Sequence, residues 1–415
     1  MFRHIPSYLG DPIYSLFQEF LADPSPHRVN LSIGLYYDEE GRLPVLSSVR
    51  RAAQRLSEEG MPYGYLPMEG MAFYRQRAQE LVFGADSVAL REGRIATVQS
   101  VGGSGALRLV AEFLRRYFPD SAVWISDPTW DNHRVLFTRA GLEVHNYPYY
   151  DPQTHGLCFD AMVSALAALP SRSVVVMQPS CHNPTGVDLS KEQWKAIIQL
   201  MVERGLMPLM DMAYQGFGDG LAEDAWAIRA MCDAGLAVMV SHSFSKNFAL
   251  YGERCGGLSV VCADNTQAAG VLSQLQAIVR GIYSSPPLHG ARLVATVLGD
   301  ADLRAQWEGE VNAMRQRIQR VRGALQTRLA EALPDVSFDH LGMQRGMFSY
   351  TGLSPALVDA LRTEKSVYLL RSGRACMAGL NDTNIDWVAK AIGEVVRKQT
   401  RAAVTSGAAS QRRTG

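Results

Sequence analysis

The chain has 415 residues, 47% hydrophobic and 20% charged, which is ordinary for a soluble globular protein and long enough for two or three domains. Lys+Arg and Asp+Glu both number 41, so no net basic field recruits nucleic acid and no acidic excess forms a solvating tail. The six cysteines (Cys158, Cys181, Cys232, Cys255, Cys262 and Cys376) include no C-x-x-C pair, and no apolar run reaches the length of a membrane span. Reduced thiols and a cytoplasmic protein are expected, with no disulfide frame, no metal site and no membrane partner. The opening Met1-Phe-Arg-His-Ile-Pro-Ser7 lacks an uninterrupted apolar region and a small-residue cleavage site, in keeping with that expectation.

In chain order, Asp11-Pro-Ile-Tyr-Ser-Leu-Phe-Gln-Glu-Phe-Leu21 carries a helical signal that ends at Asp23-Pro-Ser-Pro26. Asn30–Tyr37 reads as an extended segment. Residues 46–59 form an amphipathic pattern broken by Pro62-Tyr-Gly-Tyr-Leu-Pro67, and a further helix follows over Met71–Val82. Short apolar runs then alternate with helical stretches: Arg94–Val101, Ala122–Ser126, Val174–Gln178, Met207–Met212, Leu236–Ser243 and Gly257–Cys262. Most are apolar throughout, the mark of strands covered on both faces, and they predict an open, largely parallel α/β sheet. The long helical span Asp302–Leu333 leads into β-like pieces at Val336–Phe338, Gly346–Tyr350 and Ser366–Leu370, with helices at 354–363 and 384–398. This is the pattern of a second, smaller α+β domain. The tail from Thr400, rich in Ala, Ser, Thr, Gly and Arg, has no apolar face and is expected to be disordered.

The residues that could carry chemistry stand at the ends of successive strands. Leu236-Ala-Val-Met-Val240 runs into Ser241, Ser243 and Ser245, then Lys246, with Arg254 and Gly256-Gly257 closing the segment. A lysine held against a carbonyl suits a Schiff-base site, and the hydroxyls with Arg254 can grip a phosphate, although a lysine after a strand is also a common solvated loop charge. Gly102-Gly-Ser-Gly-Ala106 opens a helix and serves either a phosphate or a tight βα turn; it is not a dinucleotide fingerprint. Trp130 and His133, in Ser126-Asp-Pro-Thr-Trp-Asp-Asn-His133, read as a stacking ring and a hydrogen-bond relay, or as a core tryptophan and a loop histidine. Asn183, in Gln178-Pro-Ser-Cys-His-Asn-Pro-Thr-Gly186, sits in a turn punctuated more specifically than a plain turn requires. Asp211, in Asp211-Met-Ala-Tyr214, is a carboxylate in so apolar a setting that it needs a partner: a protonated pyridine nitrogen, or the turn that follows. In open α/β sheets ligands bind at the carboxyl ends of strands, and one cofactor explains these sites together better than five separate turns do. A phosphate cup, a stacking ring, an acid for a ring nitrogen and a lysine for an aldehyde make up the inventory of pyridoxal 5′-phosphate (PLP).

Asn183-Pro-Thr-Gly186, Ser243-Phe-Ser-Lys-Asn247, Gly373-Arg374 and Ala378-Gly379 together resemble the fold-type I PLP enzymes, specifically the class I aminotransferases of the aspartate/aromatic branch, from Asp11 to about residue 398. The resemblance implies a large PLP-binding domain with a mostly parallel seven-stranded sheet at 44–313 and a smaller α+β domain at 314–398. Residues 1–43 would form an arm and join the small domain, and 399–415 a disordered tail. It implies that Lys246 carries PLP as a Schiff base and then moves the substrate proton, and that Asp211 keeps the ring nitrogen protonated with support from His133. Asn183 and Tyr214 would hydrogen-bond the ring 3′-oxygen and so lower the pKa of the Schiff base, with Trp130 stacked on the ring. Gly103, Ser104, Ser243, Ser245 and Arg254 would cradle the phosphate, joined by Tyr65 from a partner subunit. Gly34, Trp130, Asn183 and Arg374 would bind substrate, Arg374 clamping its α-carboxylate, while Arg280 would cross a homodimer interface to meet a side-chain carboxylate. In such proteins the 127–128 and 183–184 bonds are often cis.

Within that branch, Leu35, Tyr37, Leu43, Gly64, Ser104 and Ser285 stand where strict aspartate enzymes tend to be more polar, which favours an aromatic side chain. The expected activity is transfer of the amino group of tyrosine or phenylalanine, and of aspartate, to 2-oxoglutarate by a ping-pong cycle. The alternative is an aspartate-preferring enzyme of the same family. β-Decarboxylation or C–S cleavage on the same scaffold is disfavoured by the pair Arg374 and Arg280. A transcription regulator retaining this domain is disfavoured because the resemblance begins at about residue 11.

Overall fold

The computed structural model describes residues 1–7, 10–60 and 62–411. The chain divides into two compact units, one from Pro44 to Gln316 and one joining Met1–Leu43 to the chain from Arg317 onward, the division falling inside helix Ala301–Ala332.

A seven-stranded sheet forms the centre of the Pro44–Gln316 unit. Its strands are β1 Ile95–Val101, β2 Val123–Asp127, β3 Val144–Pro148, β4 Val174–Met177, β5 Met207–Met212, β6 Met239–Ser243 and β7 Cys255–Val261, in the order β1-β7-β6-β5-β4-β2-β3. Neighbours are parallel except at β7, which runs against both β1 and β6. β4, all Val and Met, and β7 are buried along their whole length, as strands covered on both faces must be. Helix Gly102–Tyr117 lays Leu107, Val110, Phe113 and Leu114 into one core with Val98, Leu209 and Leu258. The mostly parallel sheet expected from the apolar runs is present. β3 was not legible: in Val144-His-Asn-Tyr-Pro148 only Tyr147 is buried, so this edge strand lacks the apolar run of the others. Helices Asn265–Ile282 and His289–Gly299 also lie where the pattern assigns none.

In the other unit, helix Pro12–Ala22 opens on Asp11, whose Oδ1 accepts the N–H groups of Ile13 (2.8 Å) and Tyr14 (3.1 Å), with Pro12 in the first turn. Val29–Asn30 pairs in parallel with Val367–Tyr368, and Phe348–Tyr350 pairs antiparallel with Arg374–Cys376. Of the extended segment expected over Asn30–Tyr37 only Asn30 is in a strand, and Val336–Phe338 is irregular rather than a strand. The last helix runs from Ile385 to Gln411, through most of the stretch expected to be disordered. That stretch contains no proline, and its alanines favour continuing the helix even without an apolar face. Residues 412–415 of the expected tail lie outside the described residues. Among the described residues, no helix is long and apolar enough to cross a membrane.

Candidate active site

Because β1, β2, β4, β5 and β6 are parallel, their carboxyl ends share one edge of the sheet, and the reversed β7 begins there. Gly103, Ser104, Trp130, His133, Asn183, Asp211, Tyr214, Ser243, Ser245, Lys246 and Arg254 all lie on these strand ends or the turns leaving them.

Lys246 sits in the turn joining β6 to β7, and that turn is pinned on both sides. Phe244 meets Tyr74 edge-on at 5.7 Å, and Phe248 stacks on the fully buried Trp307 at 4.6 Å. Trp307 Nε1 donates to the Asn247 carbonyl (2.8 Å), and Asn247 Nδ2 donates to the Gln215 carbonyl (3.2 Å). The ammonium lies 4.9 Å from the centre of the Tyr214 ring. Beside it, Ser243 Oγ donates to Ser245 Oγ (3.1 Å) and accepts the Ser245 N–H (3.2 Å), while Arg254 Nη1 donates to Ser245 Oγ (3.3 Å) and the Tyr251 carbonyl (2.9 Å). The first turn of helix Gly102–Tyr117 approaches the same group. Gly102 has φ +66°, its N–H donates to the Arg254 carbonyl (3.0 Å), and a Cβ there would stand 2.4 Å from Arg254 Nη2. Glycine is therefore favoured by the backbone, and a Cβ there would displace the Arg254 guanidinium. The first turn of this helix, two hydroxyls and a guanidinium form an anion cup.

Asp211, only 7% exposed, is met through Oδ2 by His133 Nε2 at 3.0 Å, and Thr129 Oγ1 lies 2.8 Å from His133 Nδ1. A carboxylate held this deep, with an imidazole nitrogen on one oxygen, suits a protonated heteroaromatic nitrogen. Trp130, half-buried at the start of helix Asp131–Arg139, meets His133 edge-on at 5.4 Å.

The turn after β4 is held by residues that do not announce themselves in the sequence. Asp188 accepts the N–H groups of Cys181 (2.7 Å) and His182 (2.8 Å). Gln178 accepts the Asn183 N–H (2.8 Å) and donates to the Asn183 carbonyl (3.0 Å). The His182 ring stacks on Tyr149 at 4.0 Å and lies 3.0 Å from Ser126 Oγ and 2.8 Å from Thr185 Oγ1. Burial, and then the nearby His133, depress its pKa to about 3. The bonds 127–128 and 183–184 are cis.

The remaining expected residues stand elsewhere. Arg374, buried in the unit that includes Met1–Leu43, lies over the Phe348 ring at 4.2 Å and donates to the Ser32 carbonyl (2.5 Å). Gly34 belongs to the same unit; a Cβ on it would come 2.8 Å from the tip of the Phe348 ring. There too, Tyr37 is half-buried and its hydroxyl is pushed up to about 12 by burial, whereas Leu43 is 49% exposed. In the Pro44–Gln316 unit, Tyr65 is 99% exposed, and Arg280 is exposed near the end of helix Asn265–Ile282, donating to Ser284 Oγ.

Residues 26–392 match the family model of aminotransferase class I and II. The aromatic-amino-acid aminotransferase of Escherichia coli K12 is 53% identical over 399 residues, covering 95% of this chain and 100% of that protein. An aspartate aminotransferase of Pseudomonas aeruginosa is 48% identical over 386 residues, 93% of this chain and 97% of that protein. A solved aromatic-amino-acid aminotransferase from Burkholderia pseudomallei, covalently bound to pyridoxal phosphate, is 46% identical with a TM-score of 0.94 over 95% of this chain and 99% of that one. Matches of this length run through both units and through every turn at the sheet edge, and the chain belongs to the aminotransferases of class I and II.

Proposed function

We propose that this chain is an aromatic-amino-acid aminotransferase that takes the amino group of tyrosine or phenylalanine, and of aspartate, and delivers it to 2-oxoglutarate with PLP as carrier. The observation that carries the reading is the convergence of Lys246, the His133-supported Asp211 and the Ser243–Ser245–Arg254 cup at one sheet edge. These residues fit PLP: the cup and the first turn at Gly103 and Ser104 suit a phosphate, Asp211 a pyridinium nitrogen, and Asn183 and Tyr214 a phenolic oxygen. When bound, the cofactor supplies an aldehyde for the substrate amine and a ring that takes up electrons as the Cα proton leaves. Lys246 would hold the aldehyde and carry that proton, and Trp130 would supply an aromatic face for the ring. Arg374, fixed by Phe348 and Ser32, is the residue suited to grip the α-carboxylate, with Gly34 in the same unit.

The working form is a homodimer in which Tyr65 reaches the partner's phosphate and Arg280 the partner's bound side-chain carboxylate. The exposure of both in the single chain supports this, since a tyrosine 99% exposed offers its whole ring to a partner. The cytoplasm is the expected compartment, supported by six cysteines of which none is in a disulfide.

Borohydride reduction followed by peptide mapping is expected to leave the pyridoxyl label on Lys246. Lys246→Ala should be colourless and about 10^4-fold or more less active; a label on another lysine overturns the assignment. The 48% identity to an aspartate aminotransferase favours aspartate preference as a second reading. Comparing kcat/KM for phenylalanine and aspartate, each with 2-oxoglutarate, separates the two.

A further inference from the structure

Gln178 follows β4 directly and is buried, as is Asn183 five positions on. A primary amide can donate and accept at once, and here both capacities go to one residue: Oε1 takes the Asn183 N–H at 2.8 Å, and Nε2 donates to the Asn183 carbonyl at 3.0 Å. The two bonds close a ring around Asn183 and fix its backbone on both sides of Cα, which sets the direction in which its side chain leaves. Asp188 secures the N–H groups of Cys181 and His182, and Ser126, Thr185 and Tyr149 secure the His182 ring. The turn is thus anchored by one set of side chains and Asn183 by another.

We infer that Gln178 is a positioning residue whose amide clasp aims the Asn183 side chain at the cofactor's ring oxygen. The inference rests on the reading of Asn183 as a hydrogen-bond donor to that oxygen. Removing the clasp leaves Asp188 and the His182 contacts in place, so the loss falls on Asn183 and through it on the cofactor's proton affinity. A weaker hydrogen bond to the ring oxygen leaves more negative charge there, and that charge favours the protonated form of the lysine-bound chromophore.

The test is a spectrophotometric pH titration of the holoenzyme, comparing wild type with Gln178→Met, Gln178→Leu, Asn183→Ala and the Gln178→Met/Asn183→Ala double variant. Met and Leu occupy similar volume and make neither bond. The expected result is a chromophore pKa raised by about one unit (tenfold) in Gln178→Met, in the same direction as Asn183→Ala, with the double variant no further shifted than Asn183→Ala alone. A role confined to holding the turn would lower thermal stability and leave this titration where it was. An unshifted Gln178→Met beside a shifted Asn183→Ala overturns the inference and leaves the reading of Asn183 standing. An unshifted Asn183→Ala removes that reading, and the inference with it. Should Gln178→Met fail to yield folded holoenzyme, Gln178→Leu is scored by the same outcomes.

Discussion

Arg280 has the most demanding specification of any side chain proposed for the site. It lies exposed at the end of helix Asn265–Ile282, and across the proposed dimer it must meet a distal carboxylate in one half-reaction and an uncharged ring in the other. A guanidinium buried without a partner costs several kcal/mol, so the side chain should swing out or stay hydrated when an aromatic substrate binds. Arg280→Ala is expected to cut kcat/KM for aspartate by about 100-fold or more and that for tyrosine by less than about tenfold. Steady-state kinetics with both substrates check this, and equal losses would remove the account. The residues proposed to bear chemistry could be picked out because isolated polar groups stand out where an apolar run stops: Asp211 and Lys246 each follow such a run. Their supports were not legible. Thr129, Asp188 and Gln178 look like ordinary turn residues, and their purpose depends on backbone N–H groups and ring nitrogens whose positions only the fold supplies.

Strand β7 is where the sheet tolerates least. Gly256 lies between β1 and β6, and a Cβ on it would stand 2.6 Å from the Gly102 carbonyl carbon and 2.7 Å from the His242 carbonyl oxygen, both backbone atoms that cannot turn aside. Its own carbonyl accepts the Tyr74 hydroxyl at 2.9 Å. Gly256→Ala should therefore cost about 1–3 kcal/mol in urea unfolding and weaken coenzyme retention, because it pushes the Gly102 turn away from Arg254. Gly270→Ala, in helix Asn265–Ile282 with open space around its added methyl, should be neutral or stabilising; equal losses in the two would sink the steric argument. Six of the seven strands could be read from the sequence, since a strand buried on both faces is written as a continuous apolar run. β3 could not, because at the sheet edge only Tyr147 is fully buried and Val144 packs against the core only in part. The reversal of β7 was equally hidden, since Cys255-Gly-Gly-Leu-Ser-Val-Val261 is apolar in either direction.

For the folded molecule the main pH liability is a pair of buried histidines in the Pro44–Gln316 unit. Burial holds His182 near a pKa of about 3 and His242 near about 4, and neither ring nitrogen of His242 has a hydrogen-bond partner among the described residues. Both pKa values lie below the unfolded value of 6.5, so the unfolded chain binds protons that the folded chain refuses. Stability is then fully present above that pH and falls as the medium is acidified toward the folded values, at roughly 3 kcal/mol per pH unit where both groups contribute. Urea midpoints measured between pH 7.5 and 5 should show the decline, and His242→Asn should remove about half of the slope; an unchanged slope would assign the acid sensitivity elsewhere. Setting the proposed Tyr65 contribution aside, every proposed coenzyme contact lies between Pro44 and Gln316, whereas Gly34 and Arg374 belong to the other unit. Grip on the vitamin and on the carboxylate common to all amino acids are thus entrusted to separate lengths of polypeptide, while Arg280, which would tell one side chain from another, shares the coenzyme's length, so an ancestor could change its diet without touching either end of its chain.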